Sequence, residues 1–242
     1  MMEMGGNTTL TIDAKRKYTE HAYFKIPTAQ AAQENCVSHN GGLVPVPGRD
    51  IMVQGWYQGG ISVVEFTDPD HPKELAYFDR GPVDAVPPPA DTTPGARRMS
   101  GTIGGSWGAY WWNGLIYSSE LDRGFDILEL LPSDQLSANE LAAAKLVRME
   151  QYNPQSQPHV TWPAAFPVVR SYLDQLVRGE GLSAARTTAI GQALDAAEKA
   201  TAAKRRTALA VLATTVDRDA AGAKDPTRVK AMSTAIKALA KS

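Results

Sequence analysis

The chain has a single cysteine, Cys36, in 242 residues, so no disulfide can form within it. No apolar run approaches the ~20 residues a helix needs to cross a bilayer, and no membrane span is expected. Met1 to Gly6 offers neither a basic stretch nor an apolar one, so no signal peptide is read there. The strongest chemical motifs are also missing. There is no Gly-rich phosphate loop ending in Lys and Ser or Thr, no Gly-x-Ser-x-Gly elbow, no His-Glu-x-x-His and no Cys-x-x-Cys. The four histidines, His21, His39, His71 and His159, lie too far apart for a zinc site. The turn aspartates form no calcium loop with a closing Glu. Neither a metal nor another cofactor is expected, no nucleic-acid partner is expected, and no catalytic residue is nominated.

What remains is an ordinary globular composition, 43% apolar and 21% charged, with a net charge of −1. The charge is uneven. From Pro163 onward there are 13 Lys and Arg against 7 Asp and Glu, and before it 12 against 19. A basic tail suits an anionic surface; a solvated helical face has the same composition.

The most informative feature is a repeat. Residues 51–66 lie over 115–130 at an offset of 64 with no gap: Ile51 over Leu115, Gly60 over Gly124, Val63 over Ile127, Glu65 over Glu129. Each copy reads as apolar strand, turn with Gly, apolar strand, a unit that cannot bury its faces alone. Around the first copy four strands are expected, Leu43–Val46, Ile51–Trp56, Ile61–Thr67 and Glu74–Asp79, which fit one propeller blade. Around the second, Ser106–Trp112, Leu115–Ser119 and Phe125–Leu130 are expected, with Asn113 and Gly114 as a hairpin turn. Two further strands, Thr8–Ile12 and His21–Ile26, precede them. Residues 81–105 are rich in Pro and Gly and form a long loop carrying Arg97 and Arg98.

After Leu131 the apolar period changes from 2 to 3.6. Ser137 and Glu140 make a capping box that opens a helix to about Met149. Four apolar stripes follow: Phe166, Val169, Leu173 and Leu176; Ile190, Leu194 and Ala197; Leu209, Leu212 and Val216; Val229, Met232, Ile236 and Leu239. A small antiparallel bundle buries such stripes. The expected fold is α+β: antiparallel propeller blades in an incomplete ring over 1–131, a capped helix and linker over 132–162, and a helical bundle over 163–242.

Candidate ligand contacts come from polar residues near turns and from a dense aromatic set: His39, Asn40, Arg49, Asp50, Trp56, Tyr57, Trp107, Asp122 and Arg123. Exposed rings form stacking platforms for sugars or peptides; rings between blades fill space instead. His39 at a strand end is a hydrogen-bonding group, a base or a ligand, or else an internal bond that spaces strands. Cys36 lies three residues before His39, so in an extended segment the two side chains point to opposite faces and do not make a catalytic pair.

Residues 36–82 and 107–130 resemble the LVIVD-repeat β-propeller proteins of bacteria. Ser38, His39, Asn40 and Gly41 carry the likeness as a blade opening, followed by Gly60 through Pro69, and by Gly124 through Leu130 in the second copy. Phe66 and Leu130 stand where that family has a small apolar residue, and the second copy lacks the Asp-Pro turn. The resemblance implies a propeller fold and an exported or surface-associated protein, and no reaction. Two blades do not close a ring of four or more. The expectation is therefore a C-terminal fragment whose upstream blades are missing, or several copies closing one ring. Two functions follow: a non-enzymatic module that binds a protein or glycan, or a hydrolase or lyase using His39, Arg49, Asp50, Asp122 and Arg123 on one channel rim.

Overall fold

The computed structural model describes residues 6–27, 34–83, 104–156 and 158–242. Most of the Pro-rich loop, with Arg97 and Arg98, lies outside the described residues. The fold is α+β, with three antiparallel sheets and five α-helices among the described residues. It divides into two compact units. One comprises 1–44 and 49–130; the other comprises 45–48 and 131–242.

The first unit begins with a hairpin, β1 (Asn7–Ile12) and β2 (Tyr18–Phe24). Its turn is fixed by Asp13, whose Oδ1 accepts the backbone N–H of Lys15 and of Lys17 at 2.8 and 2.9 Å. A four-stranded meander follows: β3 (Gly41–Leu43), β4 (Ile51–Gly55), β5 (Ile61–Glu65) and β6 (Lys73–Phe78). The third sheet has three strands, β7 (Ser106–Trp112), β8 (Leu115–Glu120) and β9 (Gly124–Leu128). Asn113 and Gly114 both have positive φ, 51° and 101°, as a two-residue type I′ hairpin turn requires.

The repeat extends to strand register. Met52 pairs with Val64, Val53 with Val63, Gln54 with Ser62 and Gly55 with Ile61. Shifted by 64, these become Ile116 with Leu128, Tyr117 with Ile127, Ser118 with Asp126 and Ser119 with Phe125, all of which are paired. Gly60 and Gly124 take the same left-handed turn, with φ of 76° and 100°. The repeat breaks at its fourth strand. The residues that correspond to β6 are 137–142, and there the Ser137–Glu140 capping box starts a helix, so the third sheet stops at three strands.

The three sheets of this unit stack in order. Because side chains alternate along a strand, the four-stranded sheet has a Val64 face and a Val53 face. Phe24 of the hairpin packs on the Val64 face with Trp56 and Met52. On the opposite face Ile51, Val53, Ile61 and Val63 are all buried. That face meets the third sheet: a Cβ on Gly55 would stand 2.8 Å from Ser106 Oγ, which is bonded to Ser118 Oγ at 2.7 Å. Ala109, Trp111, Ile116, Ser118 and Asp126, on the Ser118 face of the third sheet, are buried.

The second unit holds α1 (Ala138–Lys145), α2 (Phe166–Arg178), α3 (Ala184–Lys199), α4 (Ala202–Asp219) and α5 (Pro226–Leu239). Every residue of the four apolar stripes belongs to one core or packs against it. Asp225 caps α5 through the backbone N–H of Arg228 at 2.9 Å, with Pro226 in the first turn. Helix α1 ends at Lys145, four residues short of the expected Met149. Residues 45–48 join this unit through their carbonyls, which accept from Trp162 Nε1, Gln175 Nε2 and Arg228. No helix among the described residues is long and apolar enough to cross a membrane.

Candidate functional site

The stacking of sheets creates a seam where β3 and β4 meet β7. Tyr57 and Ser106 exchange both backbone hydrogen bonds, at 2.9 and 2.8 Å. The carbonyl of Asn40 accepts from Gly55 on one sheet and Ala109 on the other, at 3.1 and 3.2 Å. Asn40 also bridges Gly108 in parallel, so the first strands of the two sheets run the same way. Such close approach demands glycine: a Cβ on Gly105, at φ +87°, would stand 2.0 Å from the Tyr57 carbonyl.

Four of the nine candidates gather at this seam, Asn40 through its backbone and three others through their rings. His39, Tyr57 and Trp107 form a closed ring cluster, with centroids 4.3 Å apart for His39 and Trp107, 5.0 Å for His39 and Tyr57, and 5.7 Å for Tyr57 and Trp107. Edge and tilted contacts of this kind set the positive ring edge of one against the π face of another. His39 Nδ1 lies 2.6 Å from the Trp107 carbonyl. A carbonyl only accepts, so Nδ1 carries the proton and a neutral His39 presents Nε2 as an acceptor. Among the described residues neither Nε2 nor the Tyr57 hydroxyl has a partner. Trp107 is 42% exposed. The cluster is thus a half-open aromatic platform with an acceptor and a hydroxyl on it.

Beside it lies a narrow polar cleft of about 10 Å³, lined by Tyr57, Arg80, Ser106, Glu120, Arg123 and Asp126. That is room for about one water. Both of its arginines are engaged, and Asp79, which also lines it, accepts the Gly81 backbone N–H at 2.8 Å. Arg80 binds Asp126. Arg123 donates to the carbonyls of Arg80 and Gly81 at 3.2 Å, and its Nε is 3.4 Å from Glu120. Glu120 also accepts the Gly105 and Arg123 backbone N–H groups. Arg80, Glu120 and Asp126 were not among the sequence candidates. Their signal was the spacing of Ser118, Glu120 and Asp126 on a buried strand face, where an acid requires a cation.

The remaining candidates stand elsewhere. Arg49 and Asp50 precede β4, at the opposite end from Tyr57 of a strand that is itself roughly 17 Å long. Arg49 is buried and grips Glu65 with two bonds of 2.7 and 2.6 Å. Burial raises Asp50, and the nearby Glu65 charge raises it further. Trp56 is fully buried, edge-on to Phe24 at 6.0 Å, so it faces the hairpin and not solvent. Asp122 is exposed beside Gly104. His71 is fully exposed and bonded to Asp68 at 2.9 Å, a contact that raises the histidine pKa. Among the described residues no three His, Cys, Asp or Glu side chains converge on a metal position.

Cys36 is buried, and its thiol is pushed up to about 12, first by burial and then by Glu34 and Asp79. The thiolate is the reactive form. Iodoacetamide at mildly alkaline pH is therefore expected to leave the folded protein unmodified and to alkylate one site after denaturation, as intact mass will show. Rapid alkylation of the folded protein would contradict this environment.

No known protein family matches the chain, and neither a curated protein nor a solved structure does.

Proposed function

We propose that the chain is a non-enzymatic binding module of the LVIVD-repeat β-propeller type, followed by a helical bundle, from an exported or surface-associated protein. The half-open cluster of His39, Tyr57 and Trp107 is its ligand contact. That cluster is the single observation that carries the reading: polarised rings accessible to solvent, with an acceptor and a hydroxyl beside them. A pyranose ring of a glycan, or a proline or aromatic side chain of a protein, has the flat apolar face and polar edge that such a platform accepts. The propeller reading is supported by the repeated register, by the parallel first strands and by the one-directional stacking of sheets. Radially repeated blades share all three properties. The exported location rests on the sequence resemblance alone.

The hydrolase or lyase reading gains nothing from the geometry. Arg49 and Asp50 are at the wrong end of β4 to act with His39, and Arg123 is held by Glu120 and two carbonyls.

The reading is tested by titrating the protein with a panel of soluble oligosaccharides and Pro- and Tyr-rich peptides while following tryptophan emission. A saturable change is expected with at least one probe class. Trp107→Ala should weaken it about 30-fold, the scale of losing an interface anchor worth ~2 kcal/mol. Trp107→Ala with undiminished affinity for the bound probe would remove the platform from the account.

A further inference from the structure

We infer that copies of this chain associate head to tail through two apolar sheet faces, one at each end of the stack in the first unit. The open end is the Tyr117 face of the third sheet. Trp112, Tyr117 and Phe125 form a ring ladder across its three strands, with centroids 5.7 and 6.1 Å apart. Phe125 and Ile127 are 60% and 59% exposed. The repeat shows what such a face is for. The equivalents of Tyr117, Phe125 and Ile127 in the four-stranded sheet are Val53, Ile61 and Val63, all buried where that sheet meets the next one. The third sheet has the same apolar face in the same register, and no further sheet among the described residues covers it.

The other end is the hairpin. Its inner side packs on the four-stranded sheet through Phe24 and bonds to it through Asn7 and Gln54. Its outer side carries Leu10, Ile12, Tyr18 and Tyr23, exposed at 47%, 59%, 62% and 56%. Register places Ile12 opposite Tyr18 and Tyr23 opposite Thr8, which puts these four on one face. Patches of this kind mark interaction sites. Inside the chain each sheet lays one face on the opposite face of its neighbour, and joining the outer hairpin face of one copy to the Tyr117 face of another continues that order. Such an interface is heterologous: it uses two different surfaces and builds rings or filaments, not closed two-fold dimers.

The inference rests on the stacked sheets and not on the ligand platform, and its test leaves Trp107 untouched. Sedimentation equilibrium of the full chain, from micromolar to submillimolar concentration, should give masses that rise above the 26.0 kDa of one chain. Phe125→Lys and Ile12→Lys should each return the protein to one chain, since each blocks a different surface. Mixing these two variants should yield a species of two chains and nothing larger, because each supplies the face the other has lost. Both positions are exposed, and circular dichroism melts establish that the variants remain folded. A wild-type protein that stays at one chain throughout overturns the inference. So does an Ile12→Lys variant that assembles like wild type, which would mean that the third sheet pairs with itself.

Discussion

Arg49→Ala is expected to lower the stability of the protein by ~3–5 kcal/mol, the usual consequence of removing one partner from a buried ion pair. Arg49 is 8% exposed and forks onto both oxygens of Glu65. Thr67 joins them: its hydroxyl donates to Glu65 at 3.0 Å and accepts the backbone N–H of Asp50 at 2.9 Å. The network ties the start of β4 to the end of β5, so the substitution leaves Glu65 with Thr67 and the half-exposed Lys73 and unpicks a strand junction. Thermal unfolding followed by tryptophan emission should fall by roughly 10 °C or more. Burial by itself would raise the Glu65 carboxyl, but the Arg49 guanidinium, then Lys73 and Thr67, outweighs it and holds the pKa down at about 2, from 4.5. The unfolded chain therefore binds that proton more readily. The pair's contribution is complete above about pH 4.5 and is lost as pH falls through about 2. The alanine variant should lose less of its melting temperature between neutral pH and pH 2 than wild type does. Parallel acid limbs for the two proteins would show that Glu65 does not draw its ionisation from Arg49.

Arg178→Met should cost a similar ~3–5 kcal/mol for a related reason. Glu140 has no solvent exposure, and its carboxylate closes the capping box on Ser137 while receiving Arg178 at 2.7 and 3.0 Å. Without Arg178 the acid stays buried at a helix N-terminus and loses both charge-assisted bonds of that guanidinium. Methionine keeps the apolar stem of the arginine side chain, so lost packing contributes little. Adding Glu140→Gln to Arg178→Met retains an N3 acceptor for the cap and removes the charge. Urea unfolding of the double variant should recover all but ~1–2 kcal/mol of the loss. A double variant no more stable than Arg178→Met would assign the cost to packing and not to the buried charge.

Much of this fold is legible in the chain because the controlling interactions are local. The Asn113 and Gly114 turn, the Ser137 and Glu140 box and the Asp225 and Pro226 helix start each act within four residues. The helix stripes need only a period. The strand expected at Leu43–Val46 is found earlier, at Gly41–Leu43. Val44 and Val46 are buried, as strand residues would be. However, Pro45 and Pro47 have no N–H for a ladder, and the carbonyls of Pro45 and Pro47 pair with Trp162 and Gln175. A sequence shows the prolines and not those distant donors. Helix α1 stops at Lys145, where its apolar pattern continues, because Leu146 and Val147 bond back three residues in a tightened last turn.

The site was legible as a set of residues but not as an arrangement. His39, Tyr57 and Trp107 are widely separated along the chain, and the bridges of Tyr57 with Ser106 and of Asn40 with Gly108 bring them together. Trp56 and Tyr57 look alike in the sequence. Alternation sends Trp56 towards the hairpin, while Tyr57 takes a left-handed φ of 50° at the turn and joins the seam. Arg80 lies outside the repeat, so nothing in the chain ties it to Asp126.

The lone buried thiol also makes the protein its own stopwatch. Cys36 packs beside Gly59, in the turn that positions Tyr57, with its Cβ 3.2 Å from where a Gly59 Cβ would be. The second unit has no cysteine, so every alkylation event counts an opening of that one neighbourhood. When reagent is scarce, closing outruns capture and the labelling rate reads the equilibrium between shut and open. When reagent is abundant, each opening is captured and the same signal becomes the opening rate itself. A ligand seated on the seam would have to slow that clock, with no tag or dye attached to the chain.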